Sequence, residues 1–135
     1  MKKILSVFLA VIMPLMVFTS CKEEPTAVST TKNTIPHGIY LMTSDDIFPC
    51  KIQFRDEMVV IEYNSNMSRE PGKYEITEDT LRVMSEKNGS EYVFNIRDGK
   101  LYYDAANSKP SENFLKESGV VDGSEFYLSQ TLQQK

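Results

Sequence analysis

Gly72-Lys-Tyr-Glu-Ile-Thr-Glu-Asp-Thr80-Leu-Arg-Val-Met-Ser-Glu-Lys-Asn-Gly-Ser90-Glu-Tyr-Val-Phe-Asn-Ile-Arg-Asp98-Gly-Lys100-Leu-Tyr-Tyr-Asp104 is the stretch on which the fold turns. Apolar residues alternate with polar ones in four short runs: Tyr74 and Ile76; Leu81 and Val83; Tyr92, Phe94 and Ile96; Leu101 and Tyr103. A period of two marks a strand with one buried face. Glu78-Asp79, Asn88-Gly89 and Asp98-Gly99 separate the runs, and Asn-Gly and Asp-Gly supply the positive φ angles of tight hairpins. The pattern predicts a four-stranded up-and-down meander.

Upstream, Gly38 to Met42 reads as a first strand and Phe48 to Phe54 as a second, with Pro49 confining its start to an edge or bulge. Met58 to Tyr63 is a third, rich in β-branched residues, and Asn64 to Pro71 reads as a loop. Downstream, Ser111 is placed to cap a short helix through Leu115 and Glu117, with Gly119 stopping it. Asp122-Gly123 is a turn, and Glu125 to Ser129 is a last strand pairing back with an earlier one. Small open sheets expose edges that invite aggregation, and closing about eight strands into a barrel removes them. The expected fold is mainly β: an antiparallel up-and-down meander closing into a barrel, with one short C-terminal helix.

The Gly38-Ile-Tyr40 opening, the Gly72-Lys-Tyr74 run and Tyr92-Val-Phe94 with Asp98-Gly99 resemble small bacterial lipocalin-like domains, many of them lipoproteins. The likeness spans about residues 37–129, and the opening motif has no Trp. It implies a barrel with an interior cup.

The N-terminus is a processing segment. Lys2-Lys3 precedes a mostly apolar run from Ile4 to Phe18, too short for a plain membrane span of ~20 residues. Thr19-Ser20-Cys21 then resembles the lipobox of bacterial lipoproteins, with Phe18 where that family usually has Leu. The resemblance implies cleavage before Cys21 and acylation of its thiol. The expected organisation is a signal peptide over 1–20, a flexible Thr-rich tether over 21–36 and a barrel domain over 37–135. Lys22-Glu23-Glu24 resembles a surface-export signal of some Gram-negative lipoproteins. The expected location is the outer membrane, lipid-anchored, facing the periplasm or the cell surface.

Charge limits the partners. Acidic residues outnumber basic ones by 19 to 15, and loss of Lys2 and Lys3 widens the gap. That balance argues against nucleic acid or anionic lipid headgroups, which reward basic patches. With Cys21 lipidated, Cys50 has no partner for an internal disulfide, and its strand-like surroundings suit a buried packing residue.

No catalytic set assembles. The one His, His37, stands at the tether boundary, where exposure is the default. The acidic pairs Asp56-Glu57 and Glu78-Asp79 sit in tight turns, and Asp45-Asp46 lacks spaced oxygen ligands. No Cys/His zinc spacing or phosphate-cradling Gly-rich loop is present, so neither metal nor cofactor is expected. The aromatic residues Tyr40, Phe54, Tyr63, Tyr74, Tyr92, Phe94, Tyr103 and Phe126 fall mostly on one side. Core packing explains that. It also suits a cup in which Tyr74, Tyr92, Phe94 and Tyr103 hold a small apolar ligand. The alternative is an inhibitor or immunity-type lipoprotein that blocks another protein: Ser85 to Tyr92 faintly resembles a loop of c-type lysozyme inhibitor lipoproteins.

Acyl chains hold a protein on a bilayer because each buried CH₂ contributes ~0.8 kcal/mol. Cys21→Ser is therefore expected to leave the precursor uncleaved or release the protein to the soluble fraction. Normal maturation and membrane retention of that variant in cell fractionation would refute the lipobox.

Overall fold

A computed structural model describes residues 35–64 and 66–132. The expected signal segment, Cys21 and the expected tether as far as residue 34 lie outside the described residues. The elements are β1 (Gly38–Met42), β2 (Lys51–Arg55), β3 (Met58–Tyr63), β4 (Ser68–Thr77), β5 (Thr80–Ser85), β6 (Glu91–Arg97), β7 (Lys100–Tyr103), α1 (Glu112–Glu117) and β8 (Glu125–Thr131). Each strand pairs antiparallel with the next, and β8 returns to β1 through Tyr40↔Leu128 and Met42↔Phe126, closing an eight-stranded meander barrel. This is the closed antiparallel meander barrel, with one short helix, that the strand and turn pattern predicts.

Period-two patterning sets the register, since a slip of one residue would turn every inner side chain outward. Val83 pairs with Tyr92, Leu81 with Phe94, Phe94 with Tyr103 and Ile96 with Leu101, all on the inner face. In the Asp98-Gly99 turn both residues take positive φ, 51° and 75°, as a type I′ hairpin requires.

Strand boundaries differ from expectation at β2, β4 and β8, the last running on to Thr131 where Ser129 was its expected end. β2 starts at Lys51: Phe48 and Pro49 stay in the preceding loop, and of the residues before the strand Cys50 gives its carbonyl to Met42 N at 2.9 Å. β4 starts at Ser68, so the expected loop over 64–71 contracts to 64–67. The polar residues Arg69 and Glu70 hid this strand. Arg69 faces outward and, at 2.7 Å, joins Lys51 in pairing Glu62, whereas Glu70 lies on the inner face in step with Gly72, Tyr74 and Ile76. Burial alone would raise the Glu62 pKa, but the bonds and charges of Lys51 and Arg69 outweigh it and hold the carboxyl below its usual value.

The barrel interior also reaches further toward the N-terminus. Ile35 is buried, and the Pro36 carbonyl accepts a hydrogen bond from the Tyr40 hydroxyl at 2.9 Å. Cys50 is buried as expected, and burial pushes its thiol up to about 12.

The two ends of the barrel differ. One carries tight turns at 56–57, 78–79 and 98–99 and receives the chain at residues 35–37. The other carries the longer connections 43–50, 64–67 and 86–90, together with 104–124, which contains α1.

Closure needs close strand approach at Gly72. A Cβ there would meet the Met84 carbonyl oxygen at 2.5 Å. Gly72→Ala must push β4 away from β5 and should cost about 1–3 kcal/mol, read as a lower denaturant midpoint. A midpoint equal to that of the parent protein would show that the strands do not approach so closely.

Candidate functional site

The loop end holds a buried polar cluster. Glu70, on the inner face of β4, accepts from the Tyr63 hydroxyl at 2.8 Å and from the Ser111 hydroxyl at 2.6 Å on one oxygen, and from the Tyr92 hydroxyl on the other. A desolvated carboxylate is tolerable only with such donors. Ser111 is also the N-cap of α1: its Oγ accepts from Phe114 N at 3.2 Å, as the sequence predicts. Lys116 and Glu112 pair across one turn at 3.5 Å.

The same helix turn drives Phe114 into the barrel. Its ring lies 4.8 Å from that of Tyr92, 5.4 Å from Tyr63 and 5.7 Å from Tyr103, centroid to centroid. Phe94 continues the stack, 5.6 Å from Tyr103 and 5.5 Å from Phe126. These are edge-to-face or tilted contacts of the kind that aromatic cores favour. Of the four residues expected to line a cup, Tyr92, Phe94 and Tyr103 thus share one ring cluster, completed by Phe114.

Tyr74 belongs to a second cluster at the turn end. Its ring sits 5.2 Å from Phe54, and its hydroxyl lies 3.1 Å from His37 Nε2. His37 stacks on Phe54 at 5.2 Å and is half-buried, where the sequence suggested exposure.

Burial raises the phenol pKa values. Tyr63 reaches about 12 through burial and its bond to Glu70, and Tyr92 is pushed higher by the same causes. Burial alone takes Tyr40 to about 12. Burial also raises Tyr103, and burial with the Glu57 charge raises Tyr74. At neutral pH these phenols keep their protons, and Tyr40, Tyr63 and Tyr92 act as donors. The Tyr103 hydroxyl is a buried side-chain polar atom with no hydrogen-bond partner of good geometry among the described residues, while the nearby Ser108 hydroxyl works against the effect of burial on its pKa.

Glu70 and Phe114 were missed at the sequence level, although both carry a signal. Glu70 stands four residues before Tyr74, and Phe114 three after the cap Ser111.

Comparison with protein-family models, with curated proteins and with solved structures finds no match to the chain. The functional reading therefore rests on the geometry of this barrel.

The two buried hydroxyls should respond oppositely to truncation. Tyr92→Phe strips a donor from the Glu70 carboxylate and should cost about 1–3 kcal/mol. Tyr103→Phe removes an unpaired hydroxyl and should leave stability unchanged or raise it by about 1 kcal/mol. Equal losses in denaturant unfolding would mean that the Tyr103 hydroxyl has a partner in solution.

Proposed function

We propose that this protein is a lipoprotein of the outer membrane, anchored through Cys21, whose barrel is a non-enzymatic binding module working through its loop end. The carrying observation is Phe114, seated against Tyr63, Tyr92 and Tyr103. Eight-stranded barrels are either just filled by side chains or hold one small ligand. Here the inner aromatic residues touch one another, which supports the filled case. The described chain enters at the turn end, and the long connections gather at the other. This favours the inhibitor or immunity-type reading, in which the module blocks another protein.

A second reading keeps the lumen. The unpaired Tyr103 hydroxyl is a donor that a small ligand with an apolar body and one acceptor would satisfy, beside Tyr92 and Phe94. Reaching it requires α1 to move aside, with loss of the bond between Ser111 and Glu70.

An environment-sensitive apolar dye separates the two. With a filled lumen the native protein binds no stoichiometric dye, and Phe94→Ala lowers stability by ~3–5 kcal/mol by opening a cavity. Stoichiometric binding to the native protein, altered by Phe94→Ala, would return the site to the lumen.

A further inference from the structure

Adjacent bulky apolar residues in a soluble loop need a reason. In the 43–50 connection Ile47 is 88% exposed and Phe48 58% exposed, and Met67, exposed on the neighbouring 64–67 turn, lies across a shallow hollow from them. Water contact at these residues gives up favourable burial of roughly 1.5–3 kcal/mol per side chain. Contiguous exposed apolar surface of this kind marks interaction sites.

The loop is held at its base. Met42 and Cys50 on either side of it are buried, and their backbones bond, Met42 N to Cys50 O, at 2.9 Å. Thr43 N is tied to the Glu125 carbonyl at 2.8 Å, Asp46 N to the Ser44 hydroxyl at 3.2 Å, and Pro49 restricts the return. Apolar side chains on a braced loop lose little further freedom on binding.

Charge identifies the occupant. A second hollow beside Ile47 and Phe48 is bordered by Asp46 and Glu117, and Asp45 is exposed next in the chain. None of these three carboxylates has a cation within salt-bridge distance among the described residues, and Glu117 accepts a hydrogen bond only from the neutral Asn64 amide. The nearby lysines are engaged elsewhere: Lys51 with Glu62 at 2.7 Å, Lys116 with Glu112 at 3.5 Å. A second copy would bring one acidic rim against another, and an anionic lipid surface would repel it.

We propose that Ile47 and Phe48 form an apolar prong that seats in an apolar socket rimmed by Lys or Arg on a partner protein, with Asp45, Asp46 and Glu117 meeting that rim. The proposal names the partner chemistry of the loop end and rests on the reading above that this end is the binding face. Central apolar anchors carry most of the affinity, and rim charges set on-rate and salt dependence.

The test places a photoreactive residue in the full-length lipidated protein, in the cells that make it, as Phe48→p-benzoylphenylalanine, with Asn88→p-benzoylphenylalanine on another loop and Asp98→p-benzoylphenylalanine at the turn end. We expect position 48, and not 98, to cross-link one protein through a surface rich in Lys and Arg. Binding of that purified protein to the full-length chain in vesicles should weaken about tenfold or more with Phe48→Ser. Its salt dependence should flatten in the Asp45→Asn, Asp46→Asn, Glu117→Gln variant, with unfolding midpoints unchanged. Cross-links from 48 to lipid, to a second copy or to an acidic surface would overturn the proposal, as would unchanged affinity of Phe48→Ser. Cross-links from 88 alone would overturn the prong and keep the loop end as the binding face. None from either loop position would defeat both.

Discussion

A carboxylate buried at the mouth of the barrel sets what this protein can do. Glu70 is buried and is bonded by Tyr63, Tyr92 and Ser111. A buried charge missing a donor is costly, so the three hydroxyls and the carboxylate hold one another in place. Ser111 transmits that constraint, because the same Oγ that donates to Glu70 caps α1. The cap fixes the helix start, the helix start aims Phe114, and Phe114 closes the mouth. Polar geometry thus determines how an apolar lumen is filled.

The two ends then divide the work. Tight turns and the incoming chain occupy one end, where His37, Phe54 and Tyr74 pack together. The other end is filled by packed rings inside and carries the long connections outside. Beneath it lies the Phe114 cluster; above it, the connections carry exposed Ile47, Phe48 and Met67 beside acidic side chains that have no ion-pair partner among the described residues. A stiff scaffold presenting loops is a common arrangement for recognition, because loops tolerate the change that new partners demand.

Most of the barrel was legible in the sequence because its strands obey a two-residue rhythm and its hairpins use turn chemistry. Tyr92, Phe94, Leu101 and Tyr103 announce their inner face, and the positive φ of Asp98 and Gly99 follows from residue type. Helix α1 was legible from Ser111 and Gly119, but Phe114 as a plug was not. Its insertion depends on rings from β3, β6 and β7 that meet only once the barrel closes. Glu70 escaped for a related reason. In a run of Ser, Arg, Glu and Pro, a charged residue reads as loop, and the donors that make it tolerable inside stand 7, 22 and 41 residues away. His37 reads as exposed until β2 and β4 supply Phe54 and Tyr74 beside it. Local pattern specifies strands, whereas the satisfaction of buried polar groups is a property of the closed fold.

Through Phe114, helix α1 is part of the barrel core and not a lid over it. Native-state hydrogen exchange tests it most directly, because it resolves local opening from global unfolding. The amides of Phe114 and Ser118, bonded to Ser111 Oγ at 3.2 Å and to Phe114 O at 3.0 Å, report the helix. The strand amides of β5 and β6 report the barrel. If α1 is core, both groups exchange with the same free energy and the same denaturant dependence. Fast exchange at Phe114 and Ser118 while the strands stay protected would show α1 opening on its own, and would make the lumen a binding site.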